Sequence, residues 1–134
     1  MKKINIFKND NPDLEVFNDN RGTIADVFYN HALNHVAIIN SEPNVIRGNH
    51  YHKETTQHML MTKGSLEYWY KDFGSDEPAK MYVAKVGDLV STKPFEIHGL
   101  RICSEGNEFI VFSEGLRGGK DYESDTYRVD SIIG

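Results

Sequence analysis

From Leu14 to Phe112 the chain is cut into apolar runs of four to six residues, each alternating with a period of two and rich in Val, Ile, Phe, Tyr and Thr. The runs are Leu14–Phe17, Thr23–Phe28, Val36–Asn40, Asn49–His52, Gln57–Thr62, Ser65–Tyr70, Lys80–Ala84, Asp88–Ser91, Leu100–Cys103 and Glu108–Phe112. Turn-forming groups separate them, among them Asn20-Arg21-Gly22, Glu42-Pro43-Asn44, Lys63-Gly64, Val86-Gly87-Asp88 and Lys93-Pro94. A period of two puts alternate side chains on opposite faces of a strand, so each run can bury only one face against another sheet. Many short strands with such regular punctuation predict an all-β sandwich or barrel. The polar, aromatic tail from Leu116 to Ile133 lacks the alternation and reads as an ordered flap or a short helix, with Gly115, Gly118 and Gly119 as a turn.

The 134 residues suit one domain over 1–134, because two independent cores of half that size would each be marginal. The formal charge of −5, with both signs mixed along the chain, argues against nucleic acid as a partner. It leaves room for a small anionic ligand held by one or two arginines. The single cysteine, Cys103, forms no internal disulfide, and its neighbours Leu100 and Ile102 suggest a buried structural thiol. No signal-peptide pattern opens the chain and no apolar stretch reaches the ~20 residues of a membrane span, so a cytoplasmic protein without membrane association is expected.

The chemistry concentrates in Arg47-Gly48-Asn49-His50-Tyr51-His52-Lys53-Glu54-Thr55-Thr56-Gln57. On a strand His50 and His52 share a face, Gln57 returns on the next strand, and His98 follows the Lys93-Pro94 turn on a later one. Imidazoles and one oxygen donor on a barrel wall suit a divalent ion such as Zn, Fe, Mn or Ni, with His50, His52, Gln57 and His98 as ligands. His58 falls on the opposite face from Gln57 and is read as structural or exposed, whereas His31 and His35 are read as surface residues. Tyr51, Tyr68, Trp69, Tyr70 and Tyr82 could stack on a ligand but are, by default, core or interface aromatics. Neither a phosphate-cradling glycine loop nor a nucleophile elbow is present, and no nucleotide cofactor is expected.

The run His50-x-His52-x4-Gln57-x6-Gly64, followed by Gly87, Pro94 and His98, resembles the two cupin motifs. The resemblance implies an all-β cupin fold, the double-stranded β-helix or jelly-roll barrel. Gln57 stands where the motif usually has Glu, a neutral and weaker donor, and Asn44 replaces the leading glycine, which asparagine's tolerance of left-handed backbone permits. Phe17-x-Asp19-x-Arg21-Gly22, the Arg47–His52 run and Asp121–Arg128 are similar to the sugar-nucleotide branch of cupins. That branch holds the dTDP-4-dehydrorhamnose 3,5-epimerases, the dTDP-sugar 3,4-ketoisomerases and the C-terminal cupin domain of capsule-synthesis reductases.

This resemblance implies an isomerase or epimerase of a nucleoside-diphosphate 4-keto-6-deoxyhexose in surface-polysaccharide biosynthesis, working as a homodimer. His50 would be the base, as suits an imidazole near neutral pH, and His52 a ligand, second acid/base or orienting group. Arg47 and Arg21 would hold the diphosphate, with Arg21 reaching a neighbouring subunit's site. Tyr122 or Tyr127 would be a phenolic acid. The alternatives are a metal-dependent cupin enzyme of unrelated substrate, such as a small oxygenase or isomerase, and a sugar-binding cupin without chemistry.

Overall fold

In the computed structural model, which describes all residues except 116–118 and 122, the alternating runs become two five-stranded antiparallel sheets. One sheet has the order β1 (Lys2–Asn5), β9 (Asp88–Thr92), β6 (Thr56–Lys63), β11 (Asn107–Glu114) and β4 (His35–Ser41). The other has β12 (Tyr127–Arg128), β5 (Ile46–Tyr51), β10 (Glu96–Ile102), β7 (Ser65–Asp72) and β8 (Lys80–Lys85). A separate hairpin pairs β2 (Val16–Asp19) with β3 (Gly22–Ala25). The chain passes repeatedly from one five-stranded sheet to the other between β4 and β11, giving the jelly-roll barrel that the punctuation predicted.

β11 shows why the alternation works. Phe109 and Val111 point inward and are buried, whereas Ile110 and Phe112 point outward and are half-buried. The inward residues meet Met59, Met61, Leu66, Tyr68, Ala84, Val90, Leu100 and Ile102 in one core between the sheets. Burying a side chain of this size contributes about 1.5–3 kcal/mol, so the facing sheets supply the main driving force.

The outward face of β6 is covered as well. Leu60 and Leu89 pack with Ile6, Val27, Phe28, Ile110 and Phe112, so the N-terminal segment roofs the first sheet from outside. That accounts for the continuous burial from His58 to Met61 in the middle of β6.

Each predicted run contains or overlaps an observed strand. β1 and β12 were not expected, because polar Lys2, Lys3, Tyr127 and Arg128 join their sheets through backbone pairing at the edges. β10 begins at Glu96, four residues before the predicted Leu100, since Glu96 and His98 interrupt the apolar pattern. Among its described residues the tail has a short 3-10 helix at Gly119–Asp121, as one of the two readings expected, and then β12, which neither included. Of the residues read there, Leu116, Gly118 and Tyr122 lie outside the described set. Asn44 takes the left-handed backbone its motif position requires, with φ 62°. Among the described residues, no helix is long and apolar enough to cross a membrane.

Candidate active site

His50 lies near the end of β5, His52 just beyond it, and His98 directly opposite His50 on β10. The three rings form a compact triangle, with centroids 4.9 Å apart for His50–His52, 4.7 Å for His50–His98 and 5.2 Å for His52–His98. All three are buried. The spacing read from sequence therefore becomes one cluster assembled from two adjacent strands.

Arg47 is three residues from His50, so plain alternation would send it to the other side of the sheet. A β-bulge prevents this. His98 pairs with His50, but Gly99 pairs with Gly48 and Leu100 with Arg47, leaving Asn49 as the extra residue. Asn49 has φ 57° and Gly48 φ 80°. A Cβ on Gly48 would stand 2.9 Å from the main-chain oxygen of His98, so only glycine fits this crossing. Arg47 and His50 consequently line the same cavity. The exposed Arg47 guanidinium donates to Ser41 Oγ at 2.8 Å and to the Asn40 carbonyl at 3.1 Å, which fixes it at the rim.

Each of two rings is held by a main-chain carbonyl. Nδ1 of His52 donates to the oxygen of Asp125 at 2.7 Å, and Nδ1 of His98 to the oxygen of Glu96 at 3.1 Å. This tautomer carries the hydrogen on Nδ1 and the lone pair on Nε2, the state that a metal-ligating histidine needs. His52 Nε2 lies 3.1 Å from Gln57 Oε1, so Gln57 does return to the pair as predicted. Two facing acceptors require a proton or cation between them, or an amide rotated so that its NH2 donates. One nitrogen from each of His50, His52 and His98 lies within 4.8 Å of the others. Bonds of about 2.0–2.1 Å place tetrahedral ligands roughly 3.3 Å apart, so a modest closure would let these residues hold a divalent ion.

The cavity beside them has a volume of about 350 Å³, within the range of small-molecule sites. His50, His98 and Gln57 form its polar wall, while His52 is fully buried behind them and does not line it. Of the three roles open to His52, that position suits ligation or orientation rather than a second acid/base.

Sequence reasoning missed two residues here and left a third, Tyr68, as a core aromatic by default. Arg128 and Glu123 line the opening and form an ion pair at 3.0 Å. Their signal was the closing acidic and tyrosine-rich segment, whose contact with the cavity depends on β12 pairing with β5. Tyr68 is the phenol on the cavity wall, bonded to Thr92 and donating to Glu96 Oε1 at 3.0 Å. Burial, and then the Glu96 carboxylate, push its pKa well above the ordinary value, so it stays protonated. Its ring lies parallel to His98 at 6.2 Å.

Other expected residues lie elsewhere. Arg21 sits at the exposed tip of the β2–β3 hairpin, bonded to Asp19, and does not reach this cavity within one chain. Tyr127 stacks on Tyr51 outside the barrel, with Lys53 over its ring at 4.1 Å, so it is no acid partner for His50. Cys103 is half-buried rather than buried, with its thiol donating to the Gly106 oxygen at 3.0 Å. A backbone hydrogen bond from Ser65 lowers its pKa. His35 lies on β4, half-buried. His58 and His31 meet on the outer face of the first sheet, described below.

Residues 17–115 match the family model of the polysaccharide biosynthesis C-terminal domain. No curated protein matches the chain. Among solved structures, a 3,4-ketoisomerase from Helicobacter canadensis superposes with a TM-score of 0.74 at 21% identity, over 96% of this chain and 90% of that one. A dTDP-4-dehydrorhamnose 3,5-epimerase from Sulfolobus tokodaii gives 0.68 at 21% identity, over 89% of this chain and 76% of that one. A variant 3,4-ketoisomerase from Thermoanaerobacterium thermosaccharolyticum, in complex with TDP-4-keto-6-deoxyglucose, gives 0.68 at 18% identity, over 87% and 83%. These likenesses establish the cupin jelly-roll fold.

Proposed function

Because the chain belongs to the polysaccharide biosynthesis C-terminal domain family, we propose that it isomerises a nucleoside-diphosphate 4-keto-6-deoxyhexose. The supporting observation is the placement of His50 and His98 on one cavity wall with Arg47 and Arg128 at its opening. A cavity of about 350 Å³ suits a sugar ring, and the two guanidiniums suit a diphosphate outside it, since their planar forks match phosphate oxygens. A related ketoisomerase binds TDP-4-keto-6-deoxyglucose.

The ketone at C4 acidifies the C3 hydrogen. His50 accepts that proton, leaving an enediolate, exchanges it with water, and delivers a proton to C4 as the O3 proton moves to O4, so that the ketone ends at C3. One base suffices for this transposition, whereas inversion at C3 needs a donor on the opposite face. His98, Tyr68 and Gln57 supply hydrogen-bonding groups near the developing oxyanion, and catalysis rests on positioning and fixed dipoles. A divalent ion held by His52, His98 and Gln57, with His50 kept outside the ligand set as the base, would supply Lewis-acid stabilisation of that oxygen. His52 acts by orientation or ligation from behind the wall.

We also propose a homodimer. Val36 and Ile38 are exposed on β4, an edge strand of the first sheet, and Phe17 and Ile24 are exposed on the β2–β3 hairpin. Such an edge with apolar neighbours is suited to pairing with a second copy. Pairing there would also carry the hairpin bearing Arg21 toward the partner.

Purified protein incubated in deuterated water with a dTDP- or UDP-linked 4-keto-6-deoxyhexose should wash deuterium into the sugar, and His50→Ala should stop it. Folded protein giving no exchange with either nucleotide would rule out the activity.

A further inference from the structure

On the side of β6 facing away from the barrel cavity, a second set of donors converges. His58 follows Gln57 on β6, His31 arrives from the connection between β3 and β4, and Glu114 ends β11. One carboxylate oxygen, Glu114 Oε2, lies 2.9 Å from His31 Nε2 and 2.6 Å from His58 Nε2. One donor atom from each of the three residues lies within 4.8 Å of the others. The far nitrogen of His58, Nδ1, is 2.7 Å from Ser91 Oγ. Phe28 packs against both rings, at 5.1 Å from each, and against Phe112 at 4.9 Å. On the open side lies a cleft of about 590 Å³, lined by His31, His58 and Ser91.

We propose that His31, His58 and Glu114 form a second divalent-metal site of the zinc class, separate from the barrel. Two imidazole nitrogens and one carboxylate oxygen suit Zn²⁺ and neighbouring transition ions, whereas Ca²⁺ and Mg²⁺ need oxygen-rich cages. The three ligands come from three separate elements, and Phe28 shields one side from water, which strengthens charge interactions there. The cleft leaves a coordination position for water or an anionic group.

Without an ion, each ring satisfies the carboxylate by donating its Nε2 hydrogen. Coordination requires that hydrogen to move to Nδ1, and for His58 an acceptor already stands there in Ser91 Oγ. This is the outer-shell partner that orients a ligating imidazole. Bound metal would also pin the connection carrying His31 onto the first sheet, linking binding to stability.

The test is Zn²⁺ titration calorimetry on the full chain, stripped of metal, in a His98→Ala background that takes one of the three imidazoles from the barrel cluster. One equivalent should still bind. Adding His31→Ala, which removes an exposed ring, or Glu114→Gln, which keeps the shape, should weaken binding by more than roughly tenfold. Cobalt substitution should give a visible spectrum in His98→Ala that Glu114→Gln abolishes. No Zn²⁺ uptake by folded His98→Ala, or uptake unchanged by both added substitutions, would overturn the proposal without touching the isomerase reading.

Discussion

Asp125 holds His52 in two ways at once. Its main-chain oxygen accepts the Nδ1 hydrogen of the ring at 2.7 Å. Its buried carboxylate gathers the backbone N–H groups of Lys53, Glu54 and Thr55 at 2.8–2.9 Å, together with the Thr55 hydroxyl. Those three residues form the turn that follows His52 and leads to Gln57. One residue from the C-terminal segment thus fixes both the ring's orientation and the loop that delivers its partner.

Asp125→Asn should therefore destabilise the protein while leaving its outline intact. The amide keeps one oxygen but turns an NH2 toward donors, and bonds to a charged acceptor contribute about 1.5–3 kcal/mol each. A loss of roughly 3 kcal/mol is expected, read as a lower urea midpoint with unchanged slope. Because His52 acts through orientation, kcat for the keto sugar should fall more than KM rises.

Gly48→Ala tests the bulge. The added methyl would meet the His98 carbonyl oxygen at 2.9 Å on a backbone with φ 80°, so either the β5–β10 crossing opens or the strand loses its bulge. A cost of about 2–4 kcal/mol follows from clash and left-handed strain together. Activity should fall further than stability at working temperature accounts for, since Arg47 and His50 would no longer share a wall. Deuterium exchange measured well below the melting midpoint separates the two effects.

The bulge also marks where the sequence stops being readable. The sheets were legible because strands such as β11 alternate cleanly, and the histidine pair because its spacing matches the strand period. Arg47 was placed in the site by resemblance alone, since its parity relative to His50 points the wrong way until Asn49 is removed from the count. β12 was invisible because Tyr127 and Arg128 pair through backbone, and with it went the ion pair of Glu123 and Arg128 at the cavity mouth. Likewise, His31 lies in a connection without periodicity, so nothing linear ties it to His58 and Glu114. Arg21 lies on a hairpin remote from its own cavity, and a single chain's pattern says nothing of a neighbour's.

Two carboxylates set the acid limit of stability. Burial raises the pKa of Asp125, but hydrogen bonds from Lys53, Glu54 and Thr55 outweigh it and leave the group below its ordinary value of 3.8. For Glu114, burial is likewise outweighed by bonds from His58 and His31, leaving it below 4.5. Both groups are easier to protonate in the unfolded chain. Their contribution is therefore full above the ordinary carboxylate range and is lost as pH falls through it toward the folded values. Urea midpoints should decline from about pH 5 downward, and Asp125→Asn should flatten that decline.

The proposed dimer makes a separate prediction through β4. Ile38→Glu places a charge on an outward position of the edge strand, where it meets water in a monomer but would be desolvated against a second copy. The substitution should leave the circular dichroism unchanged, because Ile38 is 64% exposed and contributes little to the core. Sedimentation should then shift from dimer to monomer. If Arg21 serves the partner's cavity, the same variant should raise KM for the nucleotide sugar, and Arg21→Ala should reproduce that rise without dissociating the dimer. A protein that sediments as a monomer before any substitution would remove Arg21 from the site and leave Arg47 and Arg128 as the diphosphate's only candidates among the described residues.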